Sequence, residues 1–434
     1  KGYYYLFASK SGGYWRSEDL AGWEYIPCTT IPTLEDYAPT ILPIGDTLYF
    51  TTSSGKTQIF KNAHPEKDTW EAVDTKLTYR LHDPAFYSDE DGKVYMYWGC
   101  SDKDPIMGVE VDPKDGFRAL GEAKALIAHH GDKYGWEVPG KNNEEPRQGW
   151  NEGPCMLKYE GRYYLQYAAP GTQYRIYGDG IYVGDTPLGP FEYVEDNPFS
   201  FKPGGFIGGA GHGHTFRDKY GNYWHVASMI ISVRHMFDRR LGLFPVAVSS
   251  RNGIYAHTVW SDYPFYIPNR KVDFDKTDLS MGWNLLSYRK PVQASSSLAG
   301  YEPGNANDEQ IETWWAAQTG KKGEWLQVDL ETPMLVNSIH VNFADHHFKV
   351  FAPHPPVVYQ FFIEGSADGE KWMNLFDERE NGKDEPHRLF TLDKPVKVRY
   401  LRICNAKEMD GCFSLSGFRV FGKGEGAAPS KETR

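Results

Sequence analysis

The chain has 434 residues, enough for a large β architecture with an appended domain, and 47 Lys and Arg against 58 Asp and Glu leave a formal net charge of −11. That balance, without a local basic patch, argues against nucleic acid as a partner, and no apolar run approaches the roughly 20 residues needed to cross a membrane. The 44 Gly and 28 Pro supply turns, and 29 Tyr, 24 Phe and 13 Trp supply aromatic strand residues; this is the profile of an all-β protein whose suited ligands are neutral and hydroxyl-rich, carbohydrate above all.

The opening, Lys1 to Ser9, reads as a strand already in mid-domain, with no charged-then-apolar leader before it. Its pattern of turn, aromatic, alternating strand and small residue recurs at Asp46–Thr52, Gly92–Gly99, Gly161–Ala168 and Gly221–Ser228. A recurrence about every 45 to 70 residues fits four-stranded propeller blades with loop insertions, and five repeats predict five blades. Trp15–Glu24 and Asp185–Glu192 have the turn-into-aromatic character of outer hairpins. The five cysteines, Cys28, Cys100, Cys155, Cys404 and Cys412, lack metal-binding spacing, and only Cys404 and Cys412 are near enough in sequence to suggest a bridge.

Several stretches between the repeats carry chemistry. Asp36-Tyr37-Ala38-Pro39-Thr40 and His82-Asp83-Pro84 each place a carboxylate beside a strand entry. Trp136 and Trp150 flank a polar insertion, 139 to 149, that reads as a lid-like loop, and both indoles can stack on a sugar face or pack in a core. Trp150-Asn151-Glu152-Gly153-Pro154 then holds a carboxylate at the mouth of a strand, with an indole two residues before it. Such surroundings raise a carboxyl pKa and make a general acid. Read blandly, Asp83 caps a turn and Glu152 is a surface acid; the repeated placement of both argues for one shared site. Gly211-His212-Gly213-His214-Thr215 and Arg239-Arg240 follow in the last repeat.

The motifs around Asp83, Glu152 and His212, in that order, resemble those of glycoside hydrolase family 43, five-bladed propellers, over residues 1 to 268. The resemblance implies inverting, exo-acting hydrolysis of side chains on plant or microbial polysaccharides, of the arabinofuranosidase, xylosidase or galactofuranosidase type, outside the cytoplasm of a bacterium. It implies Glu152 as general acid and Asp83 as the carboxylate that orients it and raises its pKa. Asp36, Tyr37, Trp136, Trp150, His212 and Arg240 are then expected around the substrate. No cofactor is required, although a structural calcium near His212 is compatible with the family. The family's general base stands on the innermost strand of the first blade, ahead of the segment matched here by Tyr3–Phe7, so the base is expected upstream of the given chain. The alternative is an impaired propeller that binds glycan without cleaving it.

Beyond Pro268 a polar stretch, 269 to 284, reads as a linker or docking strap. Short strands at sandwich-like spacing follow across 285 to 423: Glu324–Leu330, Val336–Val341, Phe361–Trp372, Val398–Ile403 and Leu415–Gly422. This half resembles a discoidin-type jelly roll, the fold of carbohydrate-binding module family 32; its loop Asn305–Trp315 matches one that often lies near a calcium. The tail, 424 to 434, is expected to be loose.

Overall fold

The computed structural model describes residues 2–34, 36–231, 239–249, 253–349 and 357–424. Five separate antiparallel sheets, taken in chain order, build the first part of the molecule and a sixth builds the second. Blade 1 holds Tyr4–Phe7, Gly13–Ser17 and Glu24–Pro27; blade 2 holds Tyr37–Ile44, Thr47–Ser53, Phe60–Asn62 and Glu71–Ala72. Blade 3 holds Ala85–Ser88, Val94–Trp98 and Ile106–Asp112, with its outer position shared by Arg118–Ala119 and Lys124–Ile127. Blade 4 runs through Asn151–Tyr159, Arg162–Ala169, Gly178–Gly184 and Phe191–Tyr193, and blade 5 through Gly208–Arg217, Tyr223–Ile230, Arg239–Ser249 and Gly253–Ala256. Each of the five repeated segments seen in the sequence supplies one strand to a different blade.

Blades stack face to face, so a central strand is covered on both sides and loses the polar alternation of a half-exposed sheet. Val94–Trp98 and Gly178–Gly184 are buried at every position for this reason. Aromatic and aliphatic wedges fill each gap between neighbours. Phe7, Tyr14, Phe50 and Trp70 join blades 1 and 2, with Phe7 and Tyr14 stacked at 4.6 Å. Leu42, Phe86 and Phe117 join blades 2 and 3; Tyr97, Leu165 and Tyr167 join blades 3 and 4; Leu157, Ile181 and Val246 join blades 4 and 5. The ring closes where Tyr4 packs on Phe216 and accepts a hydrogen bond from the Lys219 backbone N–H at 2.8 Å, while Lys219 Nζ donates to the Glu18 carbonyl at 2.7 Å.

The stretch after the last blade lies along blade 5: Phe274 meets Trp224 edge-on at 5.1 Å, and Asn222 bonds the backbone of both Arg270 and Val272. The second domain is a β-sandwich in which Ser414–Lys423, Trp325–Phe343, His387–Asn405, Phe361–Ser366 and Trp372–Asp377 pair in that order. Trp325–Phe343 and His387–Asn405 are each 19 residues long and carry register breaks; the first joins Glu324–Leu330 and Val336–Val341, which read in sequence as separate strands, and the second extends Val398–Ile403 back to His387. Conversely, the expected single strand Phe361–Trp372 is two strands. Asp368 Oδ1 accepts the N–H groups of Glu370 and Lys371, and Gly369 at φ +81° turns the chain back.

Arg419, 2% exposed, joins the two domains. Its guanidinium pairs bidentately with Glu309 at 2.8 Å and lies over the rings of Phe206 and Phe421. All five cysteines are free, Cys404 and Cys412 included. No helix among the described residues is long and apolar enough to cross a membrane. Apart from Gly424, the expected loose tail lies outside the described residues.

Candidate active site

The entries of the inner strands share one backbone device. Ala38, Asp83, Gly153 and His212, one from each of blades 2 to 5, sit in the left-handed region at φ +51°, +48°, +58° and +53°. Register breaks accompany three of them, between Tyr37 and Thr40, Glu152 and Cys155, and Gly211 and His214. A bulge of this kind re-aims a side chain out of the sheet's alternation. Here it serves the ends of strands that come together around one centre.

Asp83 and Glu152 meet there. One carboxylate oxygen from each and the sulfur of Cys100 lie within 4.8 Å of one another. Asp83 is buried, and Ser53 fixes it twice, donating its hydroxyl to Oδ1 at 2.9 Å and accepting the Asp83 N–H at 2.5 Å. Ser53 is itself paired across the sheet with Tyr37. Glu152 is half-buried; Tyr177 donates its hydroxyl to Oε1 and Cys100 its thiol to Oε2, the latter at 3.2 Å. Cys100 reaches this position because Cys100–Ser101 leaves blade 3 and pairs with the inner edge of blade 4, opposite Glu152 and Asn151.

Burial pushes the Glu152 carboxyl above its ordinary value of 4.5, and the negative charge of Asp83 pushes it further; His212 and the hydrogen bonds from Tyr177 and Cys100 oppose the rise. Burial also raises the Cys100 thiol, which stands between two carboxylates, so it remains a neutral donor. Tyr177, fully buried beside Glu152, is likewise held protonated.

His212 closes the third side. Its Nδ1 is 3.7 Å from Asp83 Oδ2, and its ring covers Gly153 so closely that a Cβ there would fall 2.6 Å from the imidazole. Asp179, buried in blade 4, fixes the backbone of this run by accepting the N–H of His212 at 2.7 Å and of Gly213 at 2.8 Å. Asp179 also holds buried His225 at 3.0 Å, and His225 continues the network to Thr215 at 2.9 Å.

The other sequence-predicted residues spread out from this centre. Tyr37 is 39% exposed and carries the Lys10 ammonium over its ring at 4.5 Å; half-buried Asp36 donates its N–H to Thr33. Trp150 is 38% exposed, with its N–H on the Pro170 carbonyl at 2.7 Å, an available stacking face. Trp136 is engaged within blade 4, donating its indole N–H to Tyr193 at 3.0 Å and packing on Tyr167 and Gly180. Beside it, fully buried Glu137 accepts the Tyr167 hydroxyl and the His130 N–H, which anchors the start of the 139–149 loop.

Arg240 is exposed and turns its guanidinium onto the Arg239 carbonyl. Arg239, on the other strand parity and half-buried, donates to Thr172 and lies near enough to Tyr177 for its charge to act there. Sequence reasoning left Ser53, Cys100 and Tyr177 out of the site, and offered Arg239 only together with Arg240. Cys100 had a weak signal, standing directly after the Gly99 that ends the third repeat; Tyr177 lies in a connection with no motif.

Calcium takes six to eight oxygen ligands. The described contacts of His212 include one carboxylate, Asp83, since the oxygens of Asp179 are turned to backbone N–H groups and His225. In the second domain, Asp308 accepts from Gln310 and Thr313, and Glu309 is held by Arg419. Neither set of residues forms an oxygen cage by itself.

A ring of five blades that gathers paired carboxylates at its inner strand ends defines a carbohydrate-active propeller. Residues 1–248 match the family description "Glycosyl hydrolases family 43", and residues 291–415 match "F5/8 type C domain". The chain belongs to glycosyl hydrolase family 43 and carries a discoidin-type domain after the propeller. A solved structure described as a glycoside hydrolase is similar over 97% of this chain and 95% of its own, with 19% identity and a TM-score of 0.54. A thermostable family-43 glycoside hydrolase is similar over 62% of this chain and 94% of its own, with 21% identity and a TM-score of 0.52. The EGF-like repeat and discoidin I-like domain-containing protein 3 of Mus musculus is 32% identical over 97 residues, which is 20% of this chain and 19% of that protein.

Proposed function

We propose that the protein is an inverting, exo-acting glycoside hydrolase that removes arabinofuranosyl, xylosyl or galactofuranosyl units from plant or microbial polysaccharides outside the cytoplasm. Glu152 is the general acid and Asp83 its positioning and pKa-raising partner. The observation that carries this reading is the meeting of the two carboxylates, from different blades, within 4.8 Å around Cys100.

Their closeness separates the roles. An inverting acid and base stand about 6.5 to 9.5 Å apart, to leave room for the sugar and the attacking water. Asp83 is too near Glu152 for that, and it is buried and doubly held by Ser53. It therefore acts on Glu152 and not on water. Burial and the Asp83 charge keep the Glu152 proton in place until a glycosidic oxygen arrives to accept it. Tyr177 and Cys100 donate to the carboxylate that forms, so their bonds strengthen as the proton leaves. The general base of this reading belongs to the inner edge of blade 1, whose described strands are Tyr4–Phe7, Gly13–Ser17 and Glu24–Pro27. Trp150 and Tyr37, both partly exposed, are the proposed sugar-facing aromatics, and Arg239 takes the inward place expected for Arg240.

The test is release of sugar by the full-length protein from a panel of aryl furanosides and pyranosides, beside Glu152→Gln. Hydrolysis of one class, lost in the variant, supports the assignment. Binding of glycans without release from any substrate would leave the propeller as a lectin-like module.

A further inference from the structure

We propose that the discoidin-type domain holds a site for one borderline-to-soft divalent cation, of which Zn2+ is the expected occupant, built from His346, His347 and Cys412. One ligand atom from each of the three lies within 4.8 Å of the others. The Cys412 sulfur is 3.7 Å from His347 Nδ1. A tetrahedral zinc with Zn–S of about 2.3 Å and Zn–N of about 2.0 to 2.1 Å sets its sulfur and nitrogen ligands about 3.6 Å apart, so this edge already has the length the metal requires.

The donor set selects the metal. One sulfur and two imidazoles suit zinc and its neighbours and are poor ligands for calcium or magnesium, which take oxygen. Cys412 is buried and free of any disulfide, His346 is half-buried and His347 is exposed, so a cation has an approach from solvent.

Two loops bring the donors together and are tied to each other before any metal arrives. The Cys412 N–H donates to the His346 carbonyl at 2.9 Å, and the His346 N–H donates to Ser414 Oγ at 3.0 Å. The two imidazoles stack with centroids 4.0 Å apart. His346 also leans on Tyr301 at 4.3 Å and receives the Trp314 indole N–H at its Nδ1, at 3.3 Å. Ligation through that nitrogen replaces a long hydrogen bond, so indole emission reports on occupancy. On binding, Cys412 gives its thiol proton to solvent and ligates as thiolate, and three protein ligands leave a fourth position for water.

The experiment strips the full chain with a chelator, titrates it with Co2+ and then displaces the cobalt with Zn2+. One equivalent should bind with a thiolate-to-cobalt charge-transfer band in the near ultraviolet, bleached by zinc. Cys412→Ser should abolish the band, and His347→Ala should weaken binding by more than the roughly 10- to 100-fold that loss of a supporting hydrogen bond costs. Because His347 is exposed, that variant decides the matter if Cys412→Ser fails to fold. Cys100→Ser should keep the band, which separates this site from the cluster around Glu152. No saturable binding, a band that survives Cys412→Ser, or a band lost in Cys100→Ser would each overturn the proposal.

Discussion

Asp83→Asn removes one negative charge and little volume, which makes it the cleanest probe of how Glu152 is tuned. With one oxygen of each carboxylate within 4.8 Å of the other and an effective dielectric of about 20, their repulsion is roughly 3.5 kcal/mol or more. His212 is 3.7 Å from Asp83 and opposes the rise, as do the donors Tyr177 and Cys100, so the Glu152 pKa should fall when Asp83 is neutralised, by less than the bare repulsion implies. The direction is fixed: a general acid works while protonated, so the alkaline limb of kcat/KM should move to lower pH. The Glu152 midpoint can also be read without turnover, from carbon NMR of side-chain-labelled glutamate, with Glu152→Gln to assign the resonance. A midpoint that stays within about 0.3 units of the parent, or rises, would refute the electrostatic role given to Asp83.

Glu152→Gln should lower kcat by about 10²- to 10⁴-fold on alkyl-type leaving groups and far less on nitrophenyl glycosides, whose leaving groups need little protonation. Since burial raises the folded-state pKa of Glu152 above 4.5, its ionisation destabilises the fold as pH rises from that value through the raised pKa; calorimetry should show Glu152→Gln more heat-stable than the parent at neutral pH, with the gap closing in acid. Asp68 behaves oppositely. Burial alone would raise it, but hydrogen bonds from Thr30, Thr29 and Cys28 win and lower it to about 2 from 3.8, so Asp68→Ala should cost about 1 to 2 kcal/mol at pH 7, a loss that vanishes as the parent is acidified toward about 2. Gly153→Ala, at φ +58° with the His212 ring in the way, should displace that ring and reduce activity, whereas Gly161→Ala, strained at φ +79° but open, should affect stability alone. Arg419→Ala should cost about 3 to 5 kcal/mol by leaving Glu309 unpaired at the domain junction, seen as an altered unfolding profile in calorimetry.

The blade count was legible because each blade must bury the same wedge of aromatic and aliphatic side chains between neighbours, and that requirement repeats in the chain as Thr47–Ser53, Val94–Trp98, Arg162–Ala169 and Tyr223–Ile230. The two carboxylates were legible for a related reason: Asp83 and Glu152 stand where an inner strand begins, and the turn residues Pro84, Gly153 and Pro154 mark those places. Two strand boundaries in the second domain were not, because Trp325–Phe343 bends through positions that look like turns and Asp368 makes a turn inside an apparent strand.

Sequence by itself determined the architecture and singled out the two carboxylates that meet, since these follow from periodic burial and from residue types at strand ends. Tertiary structure alone decided who surrounds them. Cys100 reaches Glu152 only because a short strand leaves its own blade for the next, Tyr177 arrives from a connection without a motif, and Arg239 rather than Arg240 is half-buried by the parity of one strand. Each depends on a register or a crossing between segments far apart in the chain, and such pairings leave no mark in the local pattern of residues.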